Sequence, residues 1–413
     1  MGSMLSMTPA AVQAQLIAWG RGYGWDCLDQ LNRVTMGLQM WSPAQLYETL
    51  VDFFANHLNI NCYNGDVWNT RHAFDRDVIR ANVFGKFSDM LAASAKHPAM
   101  LYYLNQAESN KTAVNENYGR ELLELHTVGL NYTEADVKSS AAIFTGRTVS
   151  NTWTYQYVAS KHATGTVTVL GFTKPNADGP GGELVGDQYI DYLAHHPLTA
   201  QRIAQKLCVR YVSDAPSASL VSQIAAVYLA NDTAILPTVY AILCSDEFWS
   251  ARGAKTRRPA ENAAATVRAL GATTTDMSNA LGSVSWMSYL MGNRVLDYGP
   301  PPGYPDRASN WRSAGNLILT WNLHRALTMN WWGGWSALDL NTLYGGVTPA
   351  TSGAAIDALA LRLVGQPLTA ADKQTLQSYL GELPTKAYAS SKAKSWLAGL
   401  VVLILDSPYH ALR

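Results

Sequence analysis

Asn115-Glu116-Asn117-Tyr118-Gly119-Arg120-Glu121-Leu122-Leu123-Glu124-Leu125-His126-Thr127-Val128-Gly129 is the stretch that decides the fold. Placed on a helix at about 100° per residue, Asn117, Glu121, Glu124 and Val128 share one stripe, with Arg120 at its edge. Tyr118, Leu122 and Leu125 fall on a different side, and His126 lies beyond Leu122. An apolar side and a polar side on one segment predict a helix packed on a core. Gly129 suits the left-handed position just past a helix C-terminus. Thr133-Glu134-Ala135-Asp136 then opens another helix that runs through Val137 to Phe144.

The same periodicity extends in both directions. Ser42-Pro43 reads as a cap and a first-turn proline, followed by Leu46, Leu50, Phe53, Phe54 and His57 at helical spacing. A helix is predicted over 75–96, a break at His97-Pro98, and further helices at 189–195, 198–211, 219–229, 236–245 and 259–270. Arg147–Tyr157 and Gly165–Leu170 alternate and are rich in Thr, Val and Tyr, which predicts a β-hairpin or small sheet. Lys174–Gly186 is read as a long surface loop and Tyr298–Pro305 as a short, rigid, aromatic one. Helices follow at 308–329, 353–364, 369–380 and 390–405. The expectation is a mainly α fold: one helical domain over 5–413, a β-rich insertion at about 147–171 and a C-terminal helical subregion at about 350–413.

Bulk composition narrows the function classes. The 413 residues carry 31 basic and 31 acidic side chains, a net charge of zero, which excludes the electrostatic footprint of a nucleic-acid binder. Charge is scarce at 15%, while Trp (13) and Tyr (21) are plentiful, as in a large core or an aromatic-lined groove. No apolar run approaches the 18 or so residues of a membrane span, and Trp396–Leu405 reads as a buried helix. Met1-Gly2-Ser3-Met4 lacks the regions of a signal peptide and reads as an expression scar, from which an export signal has been removed. Four cysteines without a C-x-x-C argue against structural zinc. They fit either two disulfides, Cys208–Cys244 and Cys27–Cys62, or four buried thiols.

With charge so scarce, the density of the 115–128 cluster is the strongest chemical signal. Glu121 and Glu124, within a turn of each other and beside Arg120, can divide acid and base roles if their environments separate them. The plainer reading is an Arg120–Glu124 pair at i,i+4 with the remainder bonded to neighbouring helices. A helical carboxylate metal site needs Glu-x-x-His. Here His126 falls roughly 140–160° away from either glutamate on a straight helix, so no metal is expected. In Asp52-Phe53-Phe54-Ala55-Asn56-His57, Asp52 and Asn56 share a face, and His57 beside two phenylalanines reads first as a core residue. His195-His196-Pro197 reads as a connection with a capping role, and nothing around His162 suggests chemistry. The absence of G-x-S-x-G, G-x-G-x-x-G and G-x-x-x-x-G-K leaves no support for serine hydrolysis of that type or for a nucleotide cofactor, and no cofactor is expected.

The run 115–129, with Tyr132–Val137 and Phe144-Thr145-Gly146, closely resembles the bacterial family catalogued as domain of unknown function 1800. Asp52–His57, His97–Leu104, His196-Pro197-Leu198-Thr199-Ala200 with Lys206-Leu207, and the proline-rich loop before Trp311 extend the resemblance over most of 40–330. The resemblance implies a helical, typically exported protein, often encoded beside a partner that looks like a sulfatase or phosphatase relative. It implies no activity. The chain departs from the family pattern in a shorter region before Ser42, in the absence of a tryptophan near Phe54, in His162-Ala163 where His-Asp is common, and in Gly146-Arg147 where Gly-Trp is usual.

The leading expectation is a secreted or periplasmic carbohydrate-active enzyme, a glycoside hydrolase acting on an extracellular or cell-wall glycan. Glu121, Glu124, Asp52 and Glu116 are its candidate catalytic carboxylates. Asn117, Arg120, Asn56, His57, Asp77, His126, Tyr304 and Trp311 are candidates for binding substrate, the aromatics by stacking on sugar faces. The alternatives are a non-enzymatic exported binding or assembly protein working with a partner, and a metal-dependent enzyme.

Overall fold

A computed structural model describes residues 2–413. Helices dominate, and the only strands among these residues form two separate antiparallel pairs, Arg147–Val149 with Tyr155–Tyr157 and Val167–Val169 with Phe172–Lys174. Among the described residues no helix is long and apolar enough to cross a membrane. The mainly α class is therefore as expected, with two miniature ribbons in place of one hairpin.

Two hydrophobic cores organise the helices. The first gathers Leu50, Phe54, Phe87, Leu122, Phe144 and Tyr189. The second gathers Met36, Met40, Val267, Leu281, Leu359 and Leu400. Each such side chain, moved wholly out of water, contributes about 1.5–3 kcal/mol before entropy is charged against it. The Asp26–Trp41 helix sends Met36 and Met40 into the second core, and Leu296 packs against both. Between the cores runs a polar seam.

Several boundaries differ from expectation for identifiable reasons. The first motif helix is Gln45–His57, and Ser42 instead ends the preceding helix while its hydroxyl accepts from Ala44 N. The 75–96 segment is two elements: a π-helical stretch Asp75–Arg80, then Phe87–Lys96 after Lys86 bridges to Ala234. The 174–186 loop is mostly the start of the helix Gly179–Ala194, capped by Asp178 with proline in its first turn. Its glycines are there for proximity rather than for turning: a Cβ on Gly182 would strike the His162 ring, and one on Gly186 the Arg147 guanidinium. Arg147 itself is buried, lies over the Phe144 ring and pairs with Asp187 at 2.8 Å. His162 is fully hydrogen-bonded to Thr145 O and Asn176. Met277–Leu290 is a helix that the sequence reading left unassigned, although Asp276 caps its start and Gly292, at φ +74°, follows its end; with no charged residue and four serines its body carries a weak amphipathic pattern. All four cysteines are free, three buried and Cys244 exposed, so the suggested disulfides are absent.

Candidate functional site

The signature segment is not a uniform α-helix. Asn117–Glu121 is α-helical and then widens into a π-helical stretch, Leu122–His126. Single π turns recur at functional sites because they re-aim side chains and free carbonyls. Leu122, Leu123, Leu125 and His126 turn inward, while Glu121 and Glu124 stay partly exposed. Thr127 Oγ1 donates to Leu122 O at 2.7 Å, and Gly129, at φ +72°, sends its N–H back to Leu123 O.

On the outer face the charges separate into two environments. Arg120 grips Glu134 with two bonds of 2.7 and 2.8 Å and reaches Glu116 at 3.3 Å. It does not pair with Glu124, a correction to the i,i+4 expectation: the widened turn and the neighbouring helix Glu134–Phe144 offer it better partners. Asn117 donates to Leu104 O at 3.3 Å. Glu124 accepts the Tyr132 hydroxyl at 2.5 Å. Glu121 has no hydrogen-bond donor among the described residues; partial burial, then the charge of Glu124, raise its carboxyl above the usual range despite Arg120.

Behind this face the π turn ends in carbonyls that need donors. Arg202 Nε donates to Leu125 O at 3.3 Å, and His57 Nε2 to His126 O at 3.0 Å. That bond leaves His57 Nδ1 as an acceptor, and Lys206 Nζ donates to it at 2.8 Å. Burial, followed by Lys206, His126 and Arg202, holds His57 well below its ordinary range. Burial, then Lys206 and Arg202, brings His126 down to about 3, and its Nδ1 has no partner. Burial and Arg202, opposed by Asp306, bring the Lys206 amine down to about 7. His57 and His126, singled out from sequence, thus meet directly, and Lys206, not among the candidate site residues, closes on the far side of His57. Arg202 and Lys206, one helical turn apart in Pro197–Tyr211, were the available signal.

The proline-rich loop is clamped beside this cluster. Asn56 Nδ2 donates to Tyr304 O at 2.8 Å and its Oδ1 accepts Tyr304 N at 2.6 Å. Gly303, at φ +73°, sits where a Cβ would collide with the Asn56 backbone. Tyr304 and Trp311 are buried inside the loop, the Trp311 indole donating to Pro305 O at 3.0 Å. Tyr103 ties Gly299 O at 2.7 Å and feels the charge of Glu121, so loop and acidic face are neighbours.

Two candidates lie elsewhere. Asp77 pairs at the surface with Arg76 at 2.6 Å. Asp52 sits in the seam between the cores, where Arg258 Nη2 contacts both Asp52 and Glu261 and Arg210 holds the same two carboxylates. Arg210 and the Arg258–Glu261 pair were not joined by local reading, because Asp52, Arg210 and that pair come from three separate segments. Among the described residues no three His, Cys, Asp or Glu side chains are grouped as a metal site requires.

A family model described as "Protein of unknown function (DUF1800)" matches residues 11–412. No curated protein and no solved structure matches the chain.

Proposed function

We propose, for a chain that belongs to the DUF1800 family, an exported hydrolase of glycosidic bonds whose proton donor is Glu121. One contrast carries the reading. Glu121 and Glu124 stand a turn apart, but Glu121 lacks a donor among the described residues and has its carboxyl raised, whereas Glu124 takes the Tyr132 hydroxyl. Two carboxylates in unlike surroundings are what acid and base roles need. Glu121 gives its proton to the leaving oxygen as the glycosidic C–O bond breaks, and Glu124 takes a proton from the incoming water. The other carboxylates singled out are engaged: Asp52 by Arg210 and Arg258, Asp77 by Arg76, and Glu116 by Arg120.

Glu121→Gln is expected to abolish turnover of a polysaccharide panel, read at the new reducing ends, with an unchanged melting temperature. Retained turnover in the variant, or none in the parent across the panel, sinks the reading. A second reading, assembly with an exported partner, is favoured by the exposed Trp286, Tyr289, Leu317, Ile318 and Trp321 on the helices Met277–Leu290 and Ala314–Thr328. Under it Glu121→Gln changes nothing.

A further inference from the structure

The seam between the two cores opens into a cavity of about 360 Å³ that contains none of residues 115–128. Four of its lining residues are arginines: Arg210, Arg257, Arg268 and Arg413. Three carboxylates, Glu48, Asp52 and Glu261, also line it, but each is already held. Glu48 binds Arg80 at 3.1 Å, and Asp52 and Glu261 share Arg210 and Arg258.

The remaining three guanidiniums are not balanced in this way. Among the described residues, Arg257 uses only Nη1, on the carbonyls of His410 and Leu412. Arg268 uses only Nη1, on Met40 O and Ser42 O. Arg413 donates from Nη2 to Arg210 O; its nearest carboxylate, Glu261 at 3.9 Å, is already committed, and its buried Nε has no hydrogen-bond partner. Capping carbonyls explains one nitrogen of each fork. It does not explain why three forks with idle donors converge on one hollow, since gathering cations, two of them partly buried, around carboxylates already shared with other arginines is costly.

We propose that this cavity binds a small polyhydroxylated molecule bearing an oxyanion, the class of sugar acids, sugar phosphates and sugar sulfates. The guanidinium forks match the oxygens of a carboxylate, phosphate or sulfate, two bonds at a time. The rest of the lining suits hydroxyl groups. Gln39 and Gln45 offer amides, the Gln39 side chain having no hydrogen bond among the described residues, and Asp52 and Glu48 accept from O–H. The volume is at the lower end of that usual for small-molecule sites, enough for one sugar-sized ligand. Burial and then Arg413 push Arg257 down to about 10, with Glu261 opposing them only in part. The assignment is independent of the hydrolase reading, because no residue is shared between the two sites.

Isothermal titration of the whole chain with glucuronate, glucose 6-phosphate and glucose 6-sulfate tests it, with glucose and inorganic phosphate alongside. At least one of the three anions binds, glucose binds at least about tenfold more weakly, and Arg268→Gln and Arg257→Gln each weaken the anion by about tenfold. Arg268 is exposed on the rim, so its variant tests the site even if Arg257→Gln fails to fold. Which anion titrates identifies the oxyanion. Overturning results are no binding of any of the three at millimolar concentration, glucose equal to the anions, inorganic phosphate equal to the sugar phosphate, or an unchanged affinity in Arg268→Gln. Glu121→Gln leaves this binding intact, so failure here and failure of the hydrolase reading are told apart.

Discussion

Two polar regions of this molecule are built in opposite ways. The 115–128 segment carries its charges within one stretch of chain and presents Glu116 and Arg120 to water, where Glu134 of the next helix joins them. The seam collects Asp52, Arg210, Arg258 and Glu261 from three distant segments and buries both guanidiniums almost wholly. Density along the chain and density in space are therefore different quantities. Water screens the first kind of cluster, so each pair contributes little. The second is desolvated, and its members depend on one another.

That contrast predicts its largest effect at Glu261. Burial pushes its carboxyl up, but Arg210, Arg413 and Arg258 outweigh this and hold it well below the usual range. Glu261→Gln keeps the shape and removes the charge, leaving Arg210 and Arg258 to share Asp52. A loss of about 3–5 kcal/mol is expected in denaturant unfolding, the range for breaking one partner out of a buried ionic group. A loss below about 1 kcal/mol would place the seam in the same class as a surface cluster and erase the distinction.

An intermediate effect is expected where the two regions approach each other, at Lys206. Its amine falls to about 7 in the folded chain, against an ordinary 10.5. Between these values the unfolded chain holds a proton that the folded chain has released, so stability rises with pH across the window. Below about pH 7 both states are protonated and the whole cost of the buried ammonium is present; above 10.5 it is gone. Lys206→Met removes the titrating group, so its unfolding free energy gains less than the parent's between pH 7 and 9. Parallel profiles for parent and variant would mean that Lys206 is solvated like any surface lysine.

Legibility followed the same division. The helical class, the break at His97-Pro98 and the helix opening at Thr133–Asp136 were readable because each is decided within a few residues. The glycine-rich start of Gly179–Ala194 was misread because its glycines answer to His162 and Arg147, which only the fold brings near. Within the site, the outward stripe of Glu121 and Glu124 follows from helical phase, but the π turn shifts the phase after Glu121 and directs Arg120 to Glu134 instead of Glu124. The Lys206–His57 bond joins positions 149 apart, and no periodicity reports on that. The seam arginines were equally hidden, each occupying an unexceptional place on its own element.

The smallest effect sharpens the comparison most, because it concerns the residue with the densest charged neighbourhood in the sequence. Arg120 makes two bonds to Glu134 and one to Glu116, a count that equals many buried networks. Yet the Glu134 side chain is 68% exposed, so water competes for every one of those bonds. Removing Arg120 leaves two carboxylates that solvent can take over, with no unpaired charge stranded in the interior. Arg120→Ala is therefore expected to unfold at nearly the parent's denaturant midpoint, and the difference that remains should shrink as salt is raised. It should, however, raise the Glu121 carboxyl further, because Arg120 is the one group lowering it. An NMR titration that follows the Glu121 side-chain carboxyl resonance would register this even though stability does not. A large loss of stability with no change at Glu121 would reverse both assignments, making the outer face of the helix a structural network and leaving Glu121 without its electrostatic neighbour.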